Sequence, residues 1–251
     1  MFPFLNDWGT VGSLVALAVA TVQKYTDDLE VVIVNDGSTK ENSDALDKIV
    51  KTINQKSPRG WPAYKDSPGV EESRKRIKII THENNRGYGG ALRSGFSTAT
   101  KDFIFYTDCD AQYDPRELAL LMDNMKPGIA MVNGYKIKRN DPWFRILAGR
   151  AYHYFVKYTF CLPIRDTDCD FRLIRREVFD KVKLFENTGT ICTELVKKID
   201  HYGYRIVEVP VHHFWRTSGK SQFFNFKRLY KTGTNLMKLW WKLMVRKNYN
   251  N

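Results

Sequence analysis

Phe103-Ile104-Phe105-Tyr106-Thr107-Asp108-Cys109-Asp110-Ala111-Gln112 decides how this chain is read. Four apolar residues form a short buried strand, and a polar turn with two acids follows at once. In open parallel sheets, ligands bind outside the carboxyl ends of the strands. Two residues apart in an extended segment, Asp108 and Asp110 face the same side, and Gln112 offers a third oxygen. Oxygen-only ligands suit Mg²⁺ or Mn²⁺, which bridge to a diphosphate. An Asp-x-Asp pattern by itself is short and most often a solvated acidic turn. Its place directly after a buried strand points to function.

The sequence upstream alternates helical and strand signals, as a parallel α/β sheet does. A helix is expected over 10–25, a strand over 30–34 ended by Asn35-Asp36-Gly37-Ser38, and a helix over 42–54. A strand over 77–80 is followed by a glycine-rich turn over 84–90 and a helix over 91–98. Residues 55–76, rich in Pro, Gly, Ser and charge, read as an exposed loop. Downstream, a helix covers 117–125, a strand 129–133, an aromatic helix 143–160 and a late strand 206–209. Pro3 to Asp7 reads as the end of a first strand with little before it. Three polar clusters thus stand at strand ends: Asn6-Asp7, Asp36-Gly37-Ser38 and Asp108-Cys109-Asp110. Their coincidence is stronger than any one of them.

A chain of 251 residues, 43% apolar and 27% charged, has enough core for one large α/β domain or two small ones, and is not disordered over most of its length. Lys and Arg outnumber Asp and Glu by 40 to 28, so the net charge of +12 asks for an anionic partner: nucleic acid, a membrane surface or a phosphorylated substrate. The sequence carries no helix-turn-helix, zinc or RNA-recognition signature, and no nucleic-acid partner is expected. The four cysteines form no CxxC pair and read as reduced thiols in a cytosolic setting. The adjacent His212 and His213 point to opposite faces of a strand and make a poor metal site. No stretch reaches the roughly 18–20 apolar residues of a membrane span; the longest apolar run, Val11 to Val22, reads as a buried helix. After Gly219 come eight Lys or Arg residues and no acid, interleaved with Phe223, Phe224, Phe226, Trp240 and Trp241. Two readings of this segment and of 143–160 are open: helices lying in a membrane interface, or helices packed on each other or on the core.

In order along nearly the whole chain, the motifs resemble glycosyltransferase family 2, in its polyprenyl-phosphate branch, which includes dolichol-phosphate mannosyltransferases. Pro3-x-x-Asn6-Asp7 is similar to the opening Pro-x-x-Asn-Glu motif, with Asp for Glu. Asn35-Asp36-Gly37-Ser38 resembles the turn that meets the nucleoside, and Asn85-x-Gly87-x-Gly89-x-Ala91 the glycine segment beside the donor. Asp108-x-Asp110-x-Gln112 resembles the metal motif. Gly134-Tyr135-Lys136 stands where the branch often has Gly-Ser-Arg, and Phe171-Arg172-Leu173 resembles its Phe-Arg/Lys-Leu segment. Glu208-Val209-Pro210-Val211, then Arg216 and Gly219-Lys220-Ser221, resembles the late strand and phosphate-contacting loop.

The resemblance implies a GT-A (nucleotide-diphospho-sugar transferase) fold, an α/β architecture with a mostly parallel central sheet flanked by helices. The catalytic domain is expected over 1–221, and a basic aromatic helical tail, with a membrane-interface reading open, over 222–251. It implies inverting, metal-dependent transfer from a UDP- or GDP-sugar to polyprenyl phosphate or another lipid-linked acceptor, peripheral on the cytoplasmic face of a membrane. Asp108, Asp110 and Gln112 would hold Mg²⁺ or Mn²⁺. Pro3, Asn6, Asp7, Asp36, Gly87, Gly89, Asp108, Lys136, Arg172, Lys220 and Ser221 would bind the nucleotide-sugar, with Asp110, Asp170 and Arg216 at the reaction. Each residue also has a plainer reading: Asp36 as a turn cap, the glycines as loop punctuation, Arg216 and Lys220 as surface charges, Arg172 in an ion pair.

One departure bears on the acceptor. The branch usually has Gly before its Phe-Arg/Lys segment, whereas this chain has Asp166-Thr167-Asp168-Cys169-Asp170. An acceptor phosphate is already anionic and needs no strong base, but a sugar hydroxyl does. Asp168 or Asp170 as that base, acting on a glycan or sugar hydroxyl, is the alternative; Asp170 in a structural ion pair, or holding Arg172, is the plainer reading.

Overall fold

The computed structural model describes residues 1–55, 77–137, 143–216 and 226–250. Its first half is the expected alternation: β1 (Phe2–Phe4), α1 (Trp8–Val22), β2 (Val31–Asn35), α2 (Lys40–Gln55), β3 (Ile77–Thr81), α3 (Tyr88–Thr98) and β4 (Phe103–Thr107). Then follow α4 (Leu118–Asn124), β5 (Ile129–Lys136), α5 (Trp143–Phe160), β6 (Phe171–Arg175), α6 (Val178–Lys181), α7 (Ile191–His201), β7 (Arg205–Val211) and α8 (Phe226–Trp240). A π-helical turn, Trp241–Val245, extends α8.

β1, β2 and β3 pair in parallel. The second group runs β4-β6-β5-β7. The two groups meet where the Met1 amino group donates to the Phe105 carbonyl at 2.7 Å and the Thr107 amide donates to the Met1 carbonyl at 3.4 Å. The order across both is therefore β3-β2-β1-β4-β6-β5-β7. β5 and β7 are parallel, but β6 runs against both its neighbours. This reversal matters for the site, because the amino end of β6 lies at the same edge as the carboxyl ends of β4 and β5.

Every residue of β2 is buried, as a parallel strand covered on both faces must be. Its side chains alternate between two layers. Val31 and Ile33 join Val11, Leu14 and Val15 of α1 and Leu46 of α2, whereas Val32 and Val34 join Leu92 and Phe96 of α3. The run from Val11 to Val22 is thus a one-sided helix, with Leu17 in solvent at 37% exposure. Residues 191–201, not expected to be helical, form α7; a buried Glu194 and Lys198 interrupt its apolar pattern.

α8 belongs to the second layer. Leu236, Leu239 and Leu243 are buried with Val156 and Phe160 of α5 and Leu195 of α7, and the Trp240 indole donates to the Thr159 carbonyl at 3.2 Å. The segment read as a tail therefore packs on both the core and α5, while Tyr154, Phe155, Tyr158, Tyr230, Met237 and Trp241 remain exposed. Leu243→Ala should cost about 2–5 kcal/mol, read as a lower melting midpoint in thermal unfolding. A midpoint equal to the parent's would show that the segment contributes nothing to the core.

Candidate active site

The carboxyl end of β2 supplies Asp36, which is 3% exposed. Its Oδ1 lies 2.6 Å from Nδ1 of His82, just past β3, and accepts from the Arg86 amide at 2.8 Å. The other ring nitrogen of His82 lies 2.8 Å from Ser94 Oγ on α3. Asp36 thus ties the end of β2 to the glycine segment. A single histidine after a strand carries no pattern, which is why sequence reasoning passed over His82. Asn6, at φ +63°, bridges to the same turn: its side-chain oxygen accepts from the Thr39 amide at 3.0 Å and its amide donates to Ser38 Oγ at 3.1 Å. Pro3 is buried in β1 opposite Val34. Asp7 caps the start of α1, where its carbonyl accepts from Thr10.

The glycines make this stacking of loops sterically possible. Gly87, at φ +83°, would place a Cβ 2.3 Å from the Asn187 carbonyl oxygen, and Gly89 would place one 2.3 Å from that of Glu186. The Gly89 amide donates to the Asn187 carbonyl at 3.0 Å. Backbone approaches backbone here, with no flexible side chain to give way.

Acidic residues gather at the end of β4. Asp108 accepts from the Tyr88 hydroxyl at 2.8 Å. Asp110, buried, accepts from the Gln112 amide at 3.0 Å and pairs with the Arg216 guanidinium at 2.7 Å. Gln112 donates its side-chain amide to the Phe214 carbonyl at 3.3 Å, while the Phe214 amide donates back to the Gln112 carbonyl at 2.8 Å. This exchange brings the segment after β7, and so Arg216, to Asp110. Asp170 arrives through β6: Thr107 pairs with Phe171, so the residues just beyond each strand end become neighbours. Its Oδ1 lies 3.1 Å from Cys192 Sγ.

Burial, then the charges of Asp170 and Asp110, pushes the Asp108 carboxyl well above the usual carboxylate range. Burial also raises Asp110, against the lowering effect of Arg216. Crowded carboxylates of this kind fit a divalent cation, whose charge would relieve both burial and repulsion. Among the described residues no three His, Cys, Asp or Glu side chains form a metal cage. Asp108 and Asp110 would therefore need further oxygens, from Gln112 and a diphosphate.

Two residues expected to contact the donor are engaged by backbone carbonyls. Arg172 is fully buried and donates to the Cys169 and Thr167 carbonyls at 3.0 and 2.5 Å, holding the Asp168–Asp170 loop from behind. Lys136 staples the same loop, with Nζ 2.7 Å from the Asp168 carbonyl and 3.5 Å from the Asp166 carboxylate. Both are cations in a sequence motif, and only the register of β5 and β6 turns them towards backbone carbonyls. Lys220 and Ser221 fall outside the described residues.

A sequence model described as glycosyl transferase family 2 matches residues 2–183. The chain belongs to that family. An undecaprenyl-phosphate 4-deoxy-4-formamido-L-arabinose transferase from Enterobacter sp. (strain 638) is 26% identical over 91% of this chain and 63% of its own length. Glycosyltransferase AglD from Haloferax volcanii is 24% identical over 98% of this chain and 37% of its own length. The chain thus spans less than two thirds of these curated relatives, the first of which agrees in name with the polyprenyl-phosphate branch. A solved glucosyl-3-phosphoglycerate synthase from Mycobacterium tuberculosis, in complex with UDP, superposes with a TM-score of 0.64 at 14% identity, over 96% of this chain and 77% of its own. The mannosyltransferase PcManGT from Pyrobaculum calidifontis, in complex with GDP-Man and Mn²⁺, superposes with a TM-score of 0.56 at 19% identity, over 88% of this chain and 56% of its own. The family 2 chain has their GT-A fold, and its sheet order brings Asp36, the glycine segment, Asp108 and Asp110 to one edge.

Gly89→Ala should displace the glycine segment and lower the melting midpoint, whereas Gly203→Ala, at positive φ but with open space around it, should cost about 1 kcal/mol. Equal losses at the two positions would remove the loop contact as the reason for Gly89. At the acidic cluster the sign is opposite. A carboxyl whose folded pKa is raised favours folding at acid pH, and this contribution is lost as pH rises through the folded value. Without metal, Asp108→Asn should therefore raise the melting midpoint at neutral pH, by about 2–4 °C for each kcal/mol of repulsion and burial relieved, with little effect at acid pH. A midpoint at or below the parent's at neutral pH would contradict this account.

Proposed function

We propose that this chain is the catalytic region of an inverting, metal-dependent glycosyltransferase that moves a sugar from a UDP- or GDP-sugar to polyprenyl phosphate. The observation that carries the reading is the meeting of Asp108, Asp110 and Arg216 at one sheet edge, beside the glycine segment tied down by Asp36. Mg²⁺ or Mn²⁺ between Asp108, Asp110 and Gln112 would supply positive charge to a departing nucleoside diphosphate. Arg216, held 2.7 Å from Asp110, adds a guanidinium aimed at the same charge, and it is pre-oriented by the Gln112–Phe214 exchange. Asn6, Asp7, Asp36 and the glycine segment form the wall where the nucleoside would lie. The solved relatives, one in complex with UDP and one with GDP-Man and Mn²⁺, support the donor class and the metal.

The acceptor follows from charge and from the relative named as an undecaprenyl-phosphate transferase. A lipid phosphate is a ready nucleophile and is drawn to a basic protein. Exposed Tyr154, Phe155 and Tyr158 on α5, and Tyr230, Met237 and Trp241 along α8 and its π-helical turn, with Lys231 and Lys238, suit a protein resting on the cytoplasmic face of a membrane. No helix among the described residues is long and apolar enough to cross one. A second reading, transfer to a sugar or glycan hydroxyl, rests on the place of Asp170 beside Asp108, where a carboxylate can take a proton.

Incubation with UDP- and GDP-sugars, Mn²⁺ and polyprenyl phosphate should yield extractable lipid-linked sugar, and Asp110→Ala should lower the rate by about 10²–10³-fold. Asp170→Asn should leave transfer to the lipid phosphate largely intact but abolish transfer to a hydroxyl. The absence of product from any donor, together with no metal-dependent nucleotide binding, would refute the reading.

A further inference from the structure

Two ammonium groups approach the ring of Phe185. Lys198 Nζ is 4.4 Å from its ring centroid, and Lys242 Nζ is 4.5 Å away. Lys198 is wholly buried on α7, pairs with the equally buried Glu194 at 2.9 Å and donates to the Lys183 carbonyl at 2.5 Å. Glu194 accepts from the backbone amides of Phe185 and Glu186 at 3.0 and 2.9 Å. A buried pair of this sort adds little net stability, but it holds the loop backbone at both ends of the charge. From the other side, Asn235 of α8 donates to Thr188 Oγ1 at 3.4 Å, and Lys242 comes from the π-helical turn.

The far face of this loop is the glycine segment. The Asn187 carbonyl takes the Gly89 amide, its side-chain oxygen takes Arg93, and Gly87 and Gly89 leave no space between the two backbones. Tyr88, between those glycines, holds Asp108. A shift of residues 183–188 therefore moves the glycine segment and the hydroxyl that holds Asp108.

We propose that residues 183–188 are a strut through which α8 and its π-helical turn set the glycine segment, with Phe185 and Lys242 as positioning residues for the nucleotide-sugar. The strut rests on the donor-site reading above. The loop meets α8 and its turn through Asn235 and Lys242, whereas the residues assigned there to the acceptor are the exposed Tyr230, Met237 and Trp241, so its effect falls on the donor.

Calorimetric titration of the full chain with UDP and with GDP, each with Mn²⁺, tests it. Lys242→Met and Phe185→Leu should each weaken nucleotide binding about three- to tenfold, and Lys242→Arg, which keeps the cation, should restore it. In turnover, the donor KM should rise while the KM for polyprenyl phosphate stays unchanged. Parent-like nucleotide affinity in both variants, or equal rises in the two KM values, would overturn the strut while leaving the donor site standing. A parent protein that binds neither nucleotide would overturn both.

Discussion

The pairing of Thr107 with Phe171, across strands that run in opposite directions, is the constraint on which the site depends. In a wholly parallel sheet the residues before β6 would leave from the far edge. Because β6 is reversed, its entry loop and the exit from β4 share one edge, and Asp170 lies close enough to Asp108 to raise its pKa. β6 also carries Arg172, whose guanidinium reaches back to the Thr167 and Cys169 carbonyls, so the strand that delivers the loop also braces it.

The charge of the chain and the charge of the site have opposite signs. A protein with a formal charge of +12 concentrates carboxylates at one edge, with Arg216 as their paired cation at Asp110. The excess of Lys and Arg draws anionic partners from a distance, while the acidic edge is suited to take a divalent cation with a diphosphate. Lys136, which composition counts among the attracting charges, is spent on Asp166 and the Asp168 carbonyl. Net charge therefore says which partners approach, and the local pairing says which of them the site can hold.

Close backbone contact is the second structural theme. Gly37, Gly87 and Gly89 allow three loops from different parts of the chain to stack without side chains between them. Gly87 and Gly89, readable in the sequence as donor contacts or as punctuation, have a further task in the structure, packing one loop on the next. The loop that meets them is held by α7 and α8, so helices remote in sequence from Asp108 and Asp110 bear on the position of the glycine segment.

The alternating first half and its strand ends were legible in the residues alone, because short β-branched or aromatic runs followed by polar turns have few other solutions. The same local chemistry made Asp108, Asp110 and Asp36 visible as a set, and the order of motifs made the family visible. β6 and α7 were not legible: Phe171 to Arg175 is brief and carries two arginines, and α7 buries a Glu–Lys pair that breaks the apolar pattern. His82 had no signal at all, and nothing in the sequence showed that Arg172 and Lys136 brace the Asp168–Asp170 loop, since the partners of a cation are not written beside it. Residue type and local order thus determined which chemistry this chain carries. The direction of β6 and the partners of each charge were decided only by tertiary packing, because strand direction and ion pairing depend on residues dozens of positions apart.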